Sequence, residues 1–231
     1  MGHVVISGAN RGIGFGLVQR YLEDGFQIWA GVRNMGDSGE LMKLSGNSGL
    51  RIHPLDISNQ NSVNTFVAWI KSTTGFVDIL INNAGIMDSR PRHLKEINLD
   101  VVQNVFNVNV LGTLRLTKAL LMPLKASKQG KVANISSLMG SINDNSSGGY
   151  YAYRSSKTAL NMITKCMALD LNQDKIASIA IHPGWVQTDM GGPNANVTIH
   201  ESTTGIKSII ENVDIETSGM FIQYDGEKLP W

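Results

Sequence analysis

Short apolar runs alternate with longer amphipathic stretches along this chain, and this alternation limits the fold more than any other feature. The runs predict strands at residues 2–8, 26–32, 51–55, 77–81, 131–135, 176–181 and 220–223. Strands that alternate with helical segments are typical of a parallel sheet whose crossovers are helices. The sequence therefore predicts an α/β fold, a doubly wound parallel sheet of about seven strands with helices on both faces. We expect one domain over residues 1–231.

The stretches between these runs predict the helices. Residues 63–70 carry apolar side chains at i, i+3, i+4 and i+7, the spacing of a helix with one buried face. Helices are also predicted over residues 13–23, 153–171 and around 206–213. The apolar segment 99–124 predicts a long helix that ends near Met122 and Pro123. Cys166 falls within an apolar helical run, so its thiol is expected to be buried.

Charge and composition exclude several classes of function. The chain has 231 residues, of which 42% are hydrophobic, and its net charge of +1 provides no basic field for nucleic acid or anionic lipid. No run approaches the ~18 apolar residues of a membrane span, and the first strand begins too early for a signal peptide. The histidines show no metal-ligand spacing. We therefore expect a cytoplasmic protein that binds no metal, membrane or nucleic acid.

A glycine-rich turn joins the first predicted strand to the first helix. It reads Ser-Gly-Ala-Asn-Arg-Gly-Ile-Gly over residues 7–14. Glycines in such a turn let the backbone approach a pyrophosphate, which free N–H groups at the helix N-terminus can bind. A purely structural turn is the alternative. The predicted cofactor contacts in this turn are Gly8, Asn10, Arg11, Gly12, Ile13 and Gly14.

The end of the second predicted strand indicates which dinucleotide binds. An NAD site has an Asp or Glu there to bind the ribose hydroxyl groups. This chain has Arg33 and Asn34 instead, and Arg11 adds a second cation inside the glycine turn. Two guanidinium groups beside the ribose suit a 2′-phosphate, although both could simply be solvated. The sequence therefore favours NADP(H) over NAD(H).

Tyr153 and Lys157 lie one turn apart if residues 153–171 form a helix. A phenol has a pKa near ~10, so it is a poor proton relay at neutral pH. A neighbouring ammonium favours the phenolate and lowers that pKa. The pair would then be an acid and the group that tunes it. A solvated helix face is the alternative, because a Tyr four residues before a Lys is common by chance.

Six motifs occur in order along the chain, at residues 7–14, 82–85, 109–112, Ser137, Tyr153 with Lys157, and Pro183-Gly184. With these motifs the chain resembles the short-chain dehydrogenase/reductase family over essentially its whole length. In residues 182–192 and 224–231 it is similar to the C-factor and Sniffer-like carbonyl reductase subgroup of that family. The resemblance implies a Rossmann-type fold and NADPH-dependent reduction of a ketone, aldehyde or quinone-like carbonyl to an alcohol.

The resemblance also implies a role for each matching residue. Tyr153 would act as the general acid, Lys157 would tune it and bind the nicotinamide ribose, and Ser137 would hold the carbonyl oxygen. Asn109 would kink its helix and hold a water that leads to Lys157. The other implied cofactor contacts are Asp56 and Ile57 at the adenine, Asn82, Ala84 and Gly85 along the cofactor, Val186 and Thr188 at the carboxamide, and Pro183 and Gly184 just before them.

Two positions depart from the family pattern. Ser7 stands where Thr is usual, and it keeps the hydroxyl group. The interval between Ser137 and Tyr153 is lengthened by a loop at residues 140–149 that is rich in Gly, Ser and Asn. Ser136 is adjacent to Ser137 and is the alternative catalytic serine. Ser137 is favoured because residues 137–140 match the family's S-x-x-G, and because successive side chains of an extended chain point to opposite sides.

The substrate is less constrained than the cofactor. The candidates for an apolar substrate wall follow strand ends, with plain packing an equally good explanation of each: Met87, Met139, Trp185 and Met190. The sequence places no Arg or Lys to receive a substrate phosphate or carboxylate, which favours a neutral lipophilic carbonyl compound. Reduction of a 3-oxoacyl chain on a carrier, and NAD(P)-binding signalling or redox sensing of the C-factor type, stay open as alternatives. The resemblance also allows a homodimer or homotetramer.

Overall fold

Seven strands form one parallel sheet in the computed structural model, which describes residues 2–87 and 93–231. The strand order is β3-β2-β1-β4-β5-β6-β7, and all six adjacent pairs are parallel. This arrangement confirms the predicted doubly wound α/β sheet. The strands are β1 His3–Ser7, β2 Gln27–Val32, β3 Leu50–Pro54, β4 Ile79–Asn82, β5 Lys131–Ile135, β6 Ala177–His182 and β7 Phe221–Gln223.

Helices cover both faces of the sheet. On one face α1 packs against α8, and on the other α3 packs against α5 and α4 against α7. Two apolar clusters fill the layers between the helices and the sheet. The helices are α1 Gly12–Glu23, α2 Gly39–Lys43, α3 Gln60–Thr73, α4 Leu99–Phe106, α5 Thr113–Ala119, α6 Leu121–Lys125, α7 Tyr151–Asp170 and α8 Ile199–Asn212.

The strand order reverses between β1 and β4. The chain builds outward from β1 to β3, then returns to the other side of β1 and builds outward again to β7. The loops after β1 and β4 therefore leave the sheet in opposite directions, which opens a crevice at the carboxyl ends of these strands. Ligands of doubly wound sheets bind in that crevice.

The long helix predicted over residues 99–124 is interrupted twice. Residues Asn107–Gly112 form a π-helical turn between α4 and α5, and a second break falls at Leu120. Pro123 explains the second break, because its ring would clash with the carbonyl group of Ala119 in a continuous helix. Pro123 instead lies in the first turn of α6, where no N–H donor is needed. The prediction that the helix ends near Pro123 is therefore wrong, since the break precedes the proline.

Cys166 is exposed on α7, so the prediction of a buried thiol is wrong. Its neighbour Met167 is buried and packs in the core. The apolar run therefore identified the helix but not which face Cys166 lies on. Among the described residues, no helix is long and apolar enough to cross a membrane. Those residues also contain no cluster of His, Cys, Asp and Glu that could hold a metal ion.

A buried chain of amide and hydroxyl groups joins the centre of the sheet to the helices beside it. Asn82 Nδ2 donates to Thr117 Oγ1 at 3.0 Å and to Asn134 Oδ1 at 2.8 Å. Asn134 Nδ2 in turn donates to Thr164 Oγ1 at 2.9 Å. Buried polar groups are costly unless they are hydrogen-bonded, so this chain holds β4, β5, α5 and α7 in one register. That register sets where α7 meets the carboxyl ends of the strands.

We predict that Gly14→Ala destabilises the protein strongly. A methyl group at Gly14 would overlap the Gly8 carbonyl oxygen and lie 2.5 Å from Asn83 Nδ2, so the start of α1 would have to move away from β1. Overpacking of this kind costs about 1–3 kcal/mol of the free energy of unfolding. Gly75→Ala is the control, because no described atom lies within 4 Å of the added methyl group. Urea unfolding curves that gave equal midpoints for both variants would contradict this account of Gly14.

Candidate active site

A cleft of about 790 Å³ lies at the carboxyl ends of the strands. This volume is typical of pockets that hold a cofactor or small ligand. Its described lining comes from the turns after β1, β2, β3, β4, β5 and β6, so residues far apart in sequence meet there. The predicted site residues that line it are Gly8, Asn10, Arg11, Gly12, Ile13, Arg33, Asp56, Ile57, Ala84, Gly85, Tyr153, Lys157, Pro183 and Thr188.

Four predicted cofactor contacts lie behind this lining. Gly14 packs against the β1 turn, and the Asn82 side chain points into the polar chain between β4 and β5. Gly184 has a φ of +86° and packs closely on the ring of Tyr224. Val186 is buried and pairs with the segment before α8 through a bridge to residue 197. The structure therefore gives these four residues packing contacts that support the cleft.

The glycine turn has the geometry of an anion site. Gly8 and Gly12 have positive φ angles of 66° and 52°, and a methyl group on Gly8 would lie 2.9 Å from Ala84 Cα. Arg11 is the N-cap residue of α1, and its side chain makes no capping hydrogen bond with the first N–H groups of the helix. The first N–H groups of α1 are therefore available to a bound anion. The donors and the close-packed glycines fit the pyrophosphate of a dinucleotide.

Ser7 ties this turn to the loop after β4. Its Oγ accepts hydrogen bonds from the main-chain N–H groups of Asn83 and Ala84, both at 3.1 Å. Both contacts require only a hydroxyl oxygen, so Ser7 can accept these hydrogen bonds although it lacks the methyl group of a threonine.

The two arginines predicted to flank the ribose have different surroundings. Arg33 lines the cleft with Asn34 and Asp37. Arg11 instead donates to Asp189 Oδ2 at 2.9 Å, and both side chains are largely exposed, at 71% and 78%. This ion pair connects the glycine turn to the loop after β6. Its partners are 178 residues apart, and no local sequence pattern pointed to Asp189.

The predicted catalytic residues meet where α7 passes the end of β5. Tyr153 and Lys157 are both buried on α7, and the hydroxyl group of Ser137 hydrogen-bonds to that of Tyr153. Ser136 is hydrogen-bonded elsewhere, donating to Asn161 Oδ1 at 2.6 Å. The structure thus pairs Ser137, rather than Ser136, with the phenol.

Lys157 and Asn109 complete this cluster. Lys157 Nζ donates to the Ile135 carbonyl oxygen at 2.8 Å and lies 5.6 Å from the centre of the Tyr153 ring. Asn109 lies in the π-helical turn, where its side chain exchanges two hydrogen bonds of 2.8 Å with the main chain of Ile86. The π turn is consistent with the expected kink at Asn109. Asn109 is held by protein contacts on both its amide oxygen and nitrogen.

Burial controls the protonation of this cluster. It raises the pKa of Tyr153 to about 12, and the hydrogen bond from Ser137 opposes that shift only in part. Burial also lowers the pKa of Lys157 to about 8, because a charged ammonium is poorly solvated there. The expectation that Lys157 brings the pKa of Tyr153 below its ordinary value is therefore wrong for this structure. Tyr153 stays fully protonated at neutral pH.

Gly140 has a packing role that sequence reasoning missed. A methyl group there would lie 2.8 Å from the main-chain carbon of Lys157, so the loop after Ser137 touches α7 directly. Thr158 Oγ1 donates to the Gly140 carbonyl oxygen at 2.9 Å and secures this contact. The glycine of the S-x-x-G motif was the available signal. That glycine identified Ser137 but did not show that the loop after Ser137 packs against α7.

Only one of the four candidates for an apolar substrate wall lines the cleft. Met190 is part of the described lining, whereas Met87, Met139 and Trp185 are outside it. Trp185 is half exposed and donates from Nε1 to the Gly191 carbonyl oxygen at 2.7 Å, which braces the loop that carries Met190.

The chain is similar in sequence and in structure to several known proteins. A family model described as short chain dehydrogenase matches residues 2–224. The C-signal protein of Myxococcus xanthus is 42% identical over 158 residues, which cover 68% of this chain and 95% of that protein. The structure of the carbonyl reductase Sniffer of D. melanogaster is 33% identical and covers 100% of both chains with a TM-score of 0.95. The NADPH-bound carbonyl reductase from chicken fatty liver is 33% identical, with a TM-score of 0.94 over 99% of this chain and 98% of that one.

We predict that burial of Lys157 makes stability depend on pH. Its pKa is about 8 in the folded protein and 10.5 ordinarily, so the folded state loses this proton first as the pH rises. Below pH 8 the buried charge destabilises the fold; above it, the unfolded state binds more protons and stability increases. Between pH 7 and 9.5 the wild type should therefore gain about 2 kcal/mol relative to Lys157→Met.

The control for this prediction is Lys165→Met, which removes an exposed lysine from the same helix. Urea unfolding at each pH provides the measurement. If the difference in unfolding free energy between wild type and Lys157→Met stayed constant across this range, Lys157 would not be a destabilising buried charge.

Proposed function

The chain belongs to the short-chain dehydrogenase family of oxidoreductases, and on that premise we propose that it reduces a lipophilic carbonyl compound to an alcohol with NADPH. The observation that carries the proposal is the buried hydrogen bond between Ser137 and Tyr153. Tyr153 lines the cleft with Lys157 beside it, and Ser137 lies behind this lining. Two hydroxyl groups held together at the edge of a cofactor-sized cleft are suited to receive one carbonyl oxygen.

The residues that line the cleft fit NADP(H). The N-terminus of α1 would hold the pyrophosphate, and Asp56 and Ile57 would border the adenine. Arg33, and Arg11 once released from Asp189, would bind the 2′-phosphate. The NADPH-bound carbonyl reductase from chicken, with its close structural match, supports this choice of cofactor. When bound, the cofactor supplies the hydride that reduces the carbonyl carbon.

Tyr153 and Ser137 would act at the carbonyl oxygen. Negative charge develops on this oxygen as the carbonyl is reduced, and two hydroxyl donors already in place stabilise it. Tyr153 then transfers its proton to the oxygen. Its raised pKa suits this direction, because the group is fully protonated at neutral pH and an alkoxide is a much stronger base than a phenolate.

Lys157 would stabilise the phenolate that this transfer leaves behind. Its ammonium group lies beside the Tyr153 ring, and its pKa of about 8 allows proton exchange near neutral pH. Asn109 holds the loop after β4 against this lysine through its contacts with Ile86. Lys157 would give its proton to the phenolate after each turnover, and the neutral amine would then take up a proton from water.

A neutral, lipophilic substrate agrees with the charges around the cleft. Among the described residues, the cations that line it are Arg11, Arg33 and Lys157, and each already has a role toward the cofactor or Tyr153. Ile86 and Met190 provide apolar lining. An anionic substrate would find no further cation in the described part of the site.

A signalling function is the second candidate, and the 42% identity to the C-signal protein of M. xanthus is the observation that favours it. In that case the fold would bind a dinucleotide and turn over little or no carbonyl substrate. Binding of NADPH without oxidation of it by any member of a carbonyl panel would favour this candidate.

We also propose a homodimer in which α5 and α7 take part. Apolar side chains are exposed in or beside these helices, and contact with a second copy of the chain would remove them from water. They are Leu111, Leu114, Met162 and Leu169.

We predict that Tyr153→Phe lowers kcat for carbonyl reduction by about 10²–10⁴, the typical contribution of a general acid. Tyr151→Phe is the matched control, because it removes a phenol hydroxyl from an exposed residue of the same helix. NADPH oxidation followed at 340 nm against aldehydes, ketones and quinones provides the measurement. Equal rates for wild type and Tyr153→Phe would remove Tyr153 from the mechanism.

We predict that Asp189→Asn tightens NADPH binding by about 2–5-fold, because it breaks the ion pair with Arg11 and so frees that guanidinium to bind the 2′-phosphate. NADH, which lacks the 2′-phosphate, should bind with unchanged affinity. Nucleotide fluorescence titrations at low and physiological salt would measure both dissociation constants. The effect should vanish in the Arg11→Ala background, and equal tightening of NADH would refute this role of Asp189.

A further inference from the structure

Arg115 on α5 has no role in the proposed chemistry, yet its guanidinium group joins two segments of the chain behind the cleft. Nη1 donates to the main-chain oxygen of Ile57 at 3.3 Å and to that of Asn107 at 3.2 Å, and Nη2 donates to Asn107 Oδ1 at 2.7 Å. The side chain is half-buried and lies outside the described lining of the cleft. Its donors therefore hold protein segments in place.

The two segments that Arg115 joins both border the cleft. Ile57 follows β3 and lines the end of the cleft where the adenine is proposed to bind. Asn107 begins the π-helical turn, and the next residue, Val108, also lines the cleft. Arg115 thus bridges the loop after β3 and the turn that carries Asn109.

The π-helical turn depends on donors from side chains. In an α-helix each carbonyl oxygen accepts from the N–H group four residues later, and a π turn disturbs this pattern because its bonds span five residues. Arg115 Nη1 and Thr113 Oγ1 donate to carbonyl oxygens of this turn, at Asn107 and Asn109 respectively. A guanidinium group suits this position, because its planar fork presents donors to several oxygens at once.

Direct packing connects the π turn to Ile57 a second time. A methyl group on Gly112 would lie 2.8 Å from two side-chain carbon atoms of Ile57 and 3.1 Å from its carbonyl oxygen. The turn therefore rests directly on the wall at Ile57. Because protein interiors are close-packed, a shift of the turn would displace this wall as well.

Asn109 extends the connection to the catalytic helix. Its Nδ2 donates to Ser156 Oγ at 3.1 Å, and Ser156 Oγ donates to the Tyr153 carbonyl oxygen at 2.8 Å. Asn109 Oδ1 also accepts from the Ile86 N–H group at 2.8 Å. The π turn and these hydrogen bonds thus connect Ile57 with the main chain of Tyr153.

We propose that Arg115 is a positioning residue that holds the adenine wall at Ile57 and the turn at Asn109 in one register. This inference rests on the proposed NADPH-dependent reduction, because that proposal places the adenine beside Ile57. Loss of the guanidinium group would let both segments shift, so adenine binding and the chemical step would weaken together. Small displacements of preorganised groups are enough to slow a reaction.

The test replaces Arg115 with Met, which keeps an unbranched aliphatic side chain and removes every donor. The dissociation constant of adenosine 2′,5′-bisphosphate, the adenosine part of NADP(H), should rise about fivefold. At saturating NADPH, kcat for the best carbonyl of the panel should fall about tenfold, with its KM within about twofold of wild type. Lys118→Met is the control, because it removes an exposed cation from the same helix and should change none of these constants.

Asn107→Ala is a milder variant, because it removes only the acceptor at 2.7 Å. Its effects on binding and kcat should be smaller than those of Arg115→Met. Combining the two substitutions should add little to the effects of Arg115→Met alone, because the two side chains act as a pair. If Arg115→Met does not fold, Asn107→Ala decides between the same outcomes.

Amide hydrogen exchange gives a readout that does not depend on turnover. The Ile86 N–H group donates to Asn109, so it should exchange faster in Arg115→Met if the turn shifts. The amides of β5 should be affected less than that of Ile86. A purely structural role would instead accelerate exchange throughout the core and leave the binding of adenosine 2′,5′-bisphosphate by the folded protein unchanged.

The outcomes separate this inference from the proposed function. An unchanged dissociation constant for adenosine 2′,5′-bisphosphate, an unchanged kcat or unchanged exchange at Ile86 would overturn the role of Arg115 and leave the reductase proposal in place. Additive losses in the double variant would also overturn that role. A wild-type protein that reduces no carbonyl compound would overturn the reductase proposal, whereas nucleotide binding and exchange at Ile86 would still decide the role of Arg115.

Discussion

Lys157 donates a hydrogen bond to the main-chain oxygen of Ile135, and this buried contact holds α7 against the end of β5. The other features of the site depend on it. Tyr153 is one turn earlier on the same helix, and Ser137 is two residues beyond Ile135, so docking α7 at this point brings the two hydroxyl groups together. Gly140 packs on the backbone of the same lysine and closes the loop over it. A displaced α7 would separate all of these groups.

The same burial has an electrostatic cost. An ammonium and a phenol that are removed from water both shift toward their neutral forms, which raises the pKa of Tyr153 and lowers that of Lys157. Such opposed shifts are common where a protein holds groups ready for proton transfer. For the proposed carbonyl reduction this shift of the Tyr153 pKa would be useful, because a proton donor must remain protonated until the substrate oxygen becomes basic.

Much of the fold followed from local patterns, and the failures have physical causes. Strand periodicity identified all seven strands to within two residues at each end, because parallel strands buried on both faces are almost entirely apolar. The apolar pattern could not show that the helix breaks before Pro123, since that break depends on where the proline ring meets the preceding turn. It also misjudged Cys166, because an apolar run does not reveal which face of a helix meets the core.

The sequence by itself determined the order of the motifs, the parallel sheet and the residues of the glycine turn, because each of these depends on neighbours along the chain. The tertiary structure alone decided the pairing of Arg11 with Asp189 and the hydrogen bonds that Ser7 accepts from the main chain of Asn83 and Ala84. These contacts join segments from different strand ends. Protonation of Tyr153 and Lys157 likewise depended on the fold, because the desolvation that shifts a pKa is produced by residues distant in sequence.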